Sequence, residues 1–172
     1  MFKLFKNKHK TFSFRCSDCG EVHKGSPSLY QKRPAFYLDV PVYDRDALTI
    51  LSDDLCIVYK TDERNKDDAI YGIRTILEIP IINTAEPMLL GVWVTQSRDS
   101  FTKYVETFDS DQSEFSSFGW LQVNQPHYKS YTDGFLSSLG CDVIGQAQGG
   151  RPKIWLHAVS YTHLTLPTTP YV

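Results

Sequence analysis

The sequence has little of what marks membrane, secreted or nucleic-acid-binding proteins. Its formal net charge is only −2 over 172 residues, so the chain as a whole does not attract nucleic acid or an anionic membrane surface. The basic start MFKLFKNKHK lacks the apolar run of roughly 7 to 15 residues that a signal peptide needs, and no window is apolar enough to cross a bilayer. We therefore predict a cytoplasmic protein that binds neither nucleic acid nor membrane, with residues 1–10 as a basic, flexible N-terminus.

Catalytic motifs are equally scarce. The glycine-rich stretch GQAQGGR has neither the lysine nor the following helix of a phosphate-binding loop, and no serine or cysteine nucleophile motif accompanies His127. Hydrophobic residues make up 41% and charged residues 22% of the chain, as in ordinary soluble globular proteins. The length suits a single domain, for which we predict bounds of 11–157.

The patterns that are present are mainly those of β-strands. In AIYGIRTILEIPII, residues 69–82, apolar side chains recur at odd positions, and this period of two is typical of a strand with one buried face. We expect it to pair antiparallel with residues 88–97. Apolar residues in SRDSFTKYVETF are spaced i, i+3, i+4 and i+7, which predicts a helix. The predicted fold is α+β: a mainly antiparallel β-sheet with one clear helix.

One short stretch, FRCSDCGEVH, has the composition of a metal site. Cys16 and Cys19 are three positions apart, Gly20 follows, and His23 lies four residues beyond Cys19. Two thiolates and an imidazole from one turn are typical ligands of zinc, which in structural sites is nearly always four-coordinate. The pattern predicts a zinc-knuckle-like turn near the N-terminus, with a fourth ligand from elsewhere in the chain.

Three other interpretations of the same residues stay open. Cys-x-x-Cys is also a redox motif, although no βαβ pattern surrounds it here. The two thiols are alternatively a pair in a tight turn without metal. A catalytic zinc would need an open coordination position and a neighbouring acid or base, and acidic side chains beside a turn are usually only solvated surface.

Six short motifs occur in an order that resembles one bacterial family. They are FRCSDCGEVH, SDDLCIV, GIRTILEIPI, LLGVWVTQS, SFGWLQVN and QGGRPKI. Together they are similar to domain of unknown function 2199, a family of uncharacterised proteins. The resemblance covers roughly residues 12–156 and implies a fold neighbourhood rather than an activity.

The resemblance also implies two further expectations. Cys56 lies in the D-L-C piece of the family pattern, which makes it the expected fourth zinc ligand beside Cys16, Cys19 and His23. The family-like pattern stops near RPKIWL, and the Thr- and Pro-rich residues after it have no amphipathic period. We therefore predict that residues 158–172 are a non-native or disordered tail, as from a truncated gene joined to foreign coding sequence.

A second candidate site lies on the even-numbered face of the strand at 69–82. Arg74 and Glu78 are four apart, so their side chains point the same way. With Trp93, Trp120 and Arg151 they would form a recognition patch, because Arg and Trp are frequent at protein interfaces. The alternative is a salt-bridged outer face of the sheet without a binding role.

Two functions follow from these observations. The first is a non-enzymatic module with a structural zinc that binds another protein. The alternative is a metal-dependent enzyme that uses the Cys/His cluster. No catalytic residue is assigned.

Overall fold

The computed structural model describes residues 13–16, 19–25, 28–81, 86–122 and 139–157. The strands in these ranges are β1 Ser13–Arg15, β2 Val22–Lys24, β3 Leu29–Tyr30, β4 Thr49–Leu51, β5 Leu55–Tyr59, β6 Ala69–Ile79, β7 Met88–Gln96, β8 Ser116–Gln122, β9 Gly140–Ile144 and β10 Lys153–Leu156. The helices are α1 Ala35–Leu38, α2 Arg45–Leu48 and α3 Arg98–Thr107, with 3₁₀ turns at Val42–Asp44 and Lys66–Asp68. The terminal segments predicted at 1–10 and 158–172 lie outside the described residues.

The two elements with the strongest sequence periods form as predicted. β6 pairs antiparallel with β7 over nine residues, from Tyr71 opposite Gln96 to Ile79 opposite Met88. β6 ends directly before Pro80, which has no N–H to donate to a ladder. α3 starts at Ser97, whose hydroxyl accepts a hydrogen bond from the Ser100 N–H at 3.2 Å. The expected strand pair and the expected helix are both confirmed.

The sheet closes on itself, which the sequence did not indicate. β6, β7, β8, β9 and β10 follow one another as hydrogen-bonded neighbours, and β10 returns to β6 to complete a five-stranded barrel. β5 and then β4 continue from β6 outside the barrel, and β3 pairs with β7. β5 and β10 pair with successive parts of the same edge of β6: Leu55 lies opposite Ile73, and Lys153 lies opposite Ile76.

The expectation of a mainly antiparallel sheet needs correction at two places, because β10 runs parallel to β6 and β3 parallel to β7. The first has a geometric reason. Strand direction alternates around an antiparallel ring, so a ring with an odd number of strands must contain a parallel neighbour. The expectation of one clear helix is also incomplete, since α1 and α2 add single turns in a segment without any lasting period.

The main hydrophobic core fills the inside of the barrel. α3 contributes Phe101 and Tyr104, and the Phe101 ring lies 5.0 Å from that of Tyr71 on β6. The other buried members are Ile73, Val92, Val94, Phe115, Leu121, Cys141, Val143 and Ile154. On the odd-numbered face of β6, Tyr71, Ile73 and Thr75 are buried as expected, whereas Leu77 and Ile79 are only partly buried.

A second core lies on the opposite face of β5, β6 and β7. Its buried members are Phe36, Tyr37, Val40, Cys56, Val58 and Trp93. α1 lies against β5 here, and Gly72 makes room for it, because a Cβ at Gly72 would lie 2.6 Å from the Phe36 ring. Arg74 is on this same face of β6, and it is only 5% exposed, so it does not lie on an open surface of the sheet.

None of the helices in the described ranges has the length and apolar character to cross a membrane.

Candidate functional site

The candidate metal centre is on a small hairpin that forms its own two-stranded sheet. β1 and β2 pair antiparallel, with Phe14 opposite His23 and their rings stacked at 5.7 Å. The connection is closed by two backbone hydrogen bonds, from the Cys16 N–H to the Glu21 carbonyl at 2.8 Å and from the Gly20 N–H to the Cys16 carbonyl at 3.0 Å. Gly20 has φ +74°, a conformation that glycine adopts without strain.

This hairpin brings three of the predicted ligands together. The ligand atoms of Cys16, Cys19 and His23 all lie within 4.8 Å of one another, and Cys19 Sγ is 3.2 Å from His23 Nε2. Zinc bonds of about 2.3 Å to sulfur and 2.0–2.1 Å to nitrogen place tetrahedral ligands roughly 3.5 to 4 Å apart. The donor set fits a zinc ion, and a spacing of up to 4.8 Å would need to contract by at most about 1 Å to reach that geometry.

Cys56, the expected fourth ligand, is not in this cluster. It is on β5 with no solvent exposure and packs in the second core. Burial raises the pKa of the Cys56 thiol to about 12, which opposes the thiolate that a metal ligand requires. Cys141 is equally buried, inside the barrel.

The family model described as "uncharacterized protein conserved in bacteria (DUF2199)" matches residues 15–166 of the 172. The chain belongs to the DUF2199 family. No curated protein and no solved structure matches it. The DUF2199 match extends to residue 166, beyond the predicted end of the domain at 157. The boundary at 157 stays a prediction.

The predicted recognition patch of this DUF2199 protein is divided between four places, of which the one that holds Trp120 is described below. Arg74 and Trp93 lie directly opposite each other on β6 and β7, both buried. Glu78 forms an ion pair with Lys153 at 2.6 Å. Arg151 forms one with Asp54 at 2.5 Å. Arg151 and Asp54 join the starts of β10 and β5, where these two strands meet the same edge of β6. This ion pair fits the alternative interpretation of a structural, salt-bridged surface.

Trp120 belongs to an exposed surface that was not predicted from the sequence. On the outside of β8, β9 and β10, cross-strand register places Phe118, Asp142 and Trp155 in one row. The Trp120 ring lies edge-on to that of Phe118 at 5.1 Å. Phe118, Trp120, Ile144 and Trp155 are 46%, 47%, 37% and 64% exposed. We call these four residues the aromatic patch.

The aromatic patch has a polar centre, because Asp142 lies on β9 between Phe118 and Trp155. His157 contacts the Phe118 ring at 5.3 Å and lies 2.9 Å from the Asp142 carboxylate. The sequence signal was the alternation in SFGWLQ, which puts Phe118 and Trp120 on the face opposite to Leu121. Without knowledge of the strand order, nothing connected that face with Trp155.

Proposed function

We propose that this protein is a non-enzymatic interaction module of the bacterial cytosol, stapled by zinc at its N-terminal hairpin. The observation that carries the proposal is the aromatic patch. Three neighbouring strands present large apolar side chains to solvent around the Asp142–His157 pair. Exposed aromatic surface of this kind marks interaction sites, and Trp and Phe are enriched at protein interfaces. The partner is therefore another protein.

A structural zinc suits the hairpin because β1 and β2 have little else to stabilise them. An isolated two-stranded hairpin is at most marginally stable in water, and five of its six strand residues are exposed. Binding of a metal by Cys16, Cys19 and His23 would supply the missing free energy, since ligands brought together by folding convert metal affinity into stability.

The alternative function is a metal-dependent enzyme, and one observation favours it. Within the described residues the cluster has three ligands rather than four, and three protein ligands plus an open position is the usual arrangement of catalytic zinc. Such a site would bind and polarise an oxygen of a substrate or water.

Metal analysis with variants tests the zinc assignment. Purified protein should contain one equivalent of zinc, and Cys16→Ser with Cys19→Ser should abolish it. Cys56→Ala should retain the metal, with Cys141→Ala as the matched buried control. Zinc that is lost in Cys56→Ala but kept in Cys141→Ala would return Cys56 to the site. Zinc-free parent protein would contradict the assignment.

The interaction proposal needs a separate test. Tagged protein should capture a defined partner from bacterial lysate, identified by mass spectrometry. Trp120→Ser with Trp155→Ser should abolish capture, whereas Tyr43→Ser, at an 85% exposed aromatic elsewhere, should not. Equal capture by the patch variant and the Tyr43 control would refute the patch as the interface.

A further inference from the structure

Arg74 is a buried cation with an unusual set of contacts. Its guanidinium donates hydrogen bonds to the backbone carbonyls of Asp53 at 2.9 Å and Gln31 at 3.2 Å. It also lies over the rings of Tyr30, at 4.8 Å, and Trp93, at 5.8 Å. These contacts hold the side chain in one position between β3, β6 and β7, while it is only 5% exposed.

The charge of Arg74 is not neutralised by a direct partner. Within the described ranges no carboxylate forms an ion pair with it, and its Nε–H is buried without a hydrogen-bond acceptor. Burial lowers the pKa of Arg74 and the nearby positive charge of Arg151 lowers it further, whereas the carboxylates of Asp54 and Asp53 raise it. Buried charges in proteins are normally paired, because an unpaired one loses its hydration without compensation. Within the described residues Arg74 therefore has carboxylates in its neighbourhood but no counter-ion in direct contact.

A pocket opens beside this guanidinium. It has a volume of about 320 Å³, which is at the lower end of the range of small-molecule sites. Its lining residues are Tyr30, Lys32, Arg33, Leu51, Ser52, Asp53 and Arg74. Three of these side chains are cationic and one is a carboxylate, so the pocket has two excess positive charges on a chain whose net charge is −2.

We propose that this pocket binds a small dianionic oxyanion, a phosphate monoester or a dicarboxylate, with Arg74 at its base and Lys32 and Arg33 at its mouth. Arginine's planar fork suits both oxyanions, and Tyr30 provides an apolar wall for the remainder of the ligand. The site is independent of the hairpin metal and of the aromatic patch.

Calorimetric titration of the full chain tests the proposal. The probes are sodium phosphate and sodium succinate at constant ionic strength, with a chelator present so that the hairpin metal plays no part. We expect saturable one-site binding of at least one probe. Lys32→Gln with Arg33→Gln should weaken it roughly fivefold or more, since each exposed charge pair contributes up to about 1 kcal/mol. Asp53→Asn should tighten binding, and Lys103→Gln, an exposed lysine on α3, should leave it unchanged.

Arg74→Gln should abolish binding, with circular dichroism to check its fold. If that variant does not fold, the Lys32/Arg33 and Asp53 variants decide the matter. Binding of phosphate alone assigns a phosphate ester, and binding of succinate alone assigns a carboxylate ligand. No binding of either probe overturns the proposal, and so does binding that the Lys32/Arg33 variant leaves unaltered, because the ion would then be held elsewhere.

Discussion

The four cysteines should divide into two reactive and two inert thiols. Cys56 and Cys141 have no solvent exposure, and burial raises the pKa of each from 9.0 to about 12. At pH 8 a thiol with a pKa of 9.0 is about one-tenth thiolate, whereas one with a pKa of 12 is about 0.01% thiolate. The thiolate is the nucleophile, and a more basic thiolate is intrinsically more nucleophilic. The buried pair should therefore react roughly 30- to 60-fold more slowly than a thiol with a pKa of 9.0, before steric protection is counted.

A chromogenic disulfide reagent measures this division directly. Metal-free native protein at pH 8 should rapidly release two equivalents of the reagent's coloured thiolate, through Cys16 and Cys19. After unfolding it should release four equivalents. Peptide mapping identifies which cysteines have reacted. Added zinc should protect the hairpin pair. The reasoning would be refuted if Cys56 reacted with the reagent after chelation but not in the presence of zinc, while Cys141 stayed unreactive in both conditions.

Three other predictions concern stability. Gly119→Ala should lower the thermal midpoint by roughly 6 to 12 °C in calorimetry, because its Cβ would overlap Val94 and the Thr95 carbonyl and cost about 3 kcal/mol; exposed Ser116→Ala on the same strand is the control. Removal of zinc by a chelator should accelerate hydrogen exchange of the Cys16 amide, because β1 and β2 form a sheet of their own. The midpoint of thermal unfolding of the barrel should change by less than about 2 °C. Deletion of 158–172 should leave the midpoint unchanged, and a fall of more than about 4 °C would mean that this segment packs natively.

Helices and strands whose apolar residues recur at a regular spacing were predictable from the sequence. Metal ligands that are neighbours along the chain were predictable as well. The β6–β7 pair follows from alternation between two strands separated by a short loop. α3 follows from the apolar spacing that includes Phe101 and Tyr104. Cys16, Cys19 and His23 meet because one hairpin turn holds them, so their proximity depends on no distant part of the chain.

The remaining features depend on tertiary partners that leave no local pattern. Arg74 is a charged residue on the even-numbered face of β6, and the contacts that enclose it come from Tyr30, Gln31 and Asp53, which are distant in sequence. Cys56 matched a family motif, but that motif marks a core position on β5. Closure of the barrel rests on Lys153 meeting Ile76, a parallel contact between strands that are distant in sequence. The spacing of apolar residues along the sequence does not predict such a contact.

That closing contact also sets the order in which the molecule can be completed. β4, β5, β6 and β7 are antiparallel neighbours both in sequence and in space, so they are able to pair while the chain is still being synthesised. β10 comes after β8 and β9, and until it arrives the edge of β6 beyond Ile73 has no strand beside it. Contacts between distant strands form slowly, and an unpaired edge is a template for another chain. A ribosome-bound chain that ends before Lys153 would therefore expose this edge of β6 to pairing with another chain. Synthesis of the four residues of β10 would cover the edge.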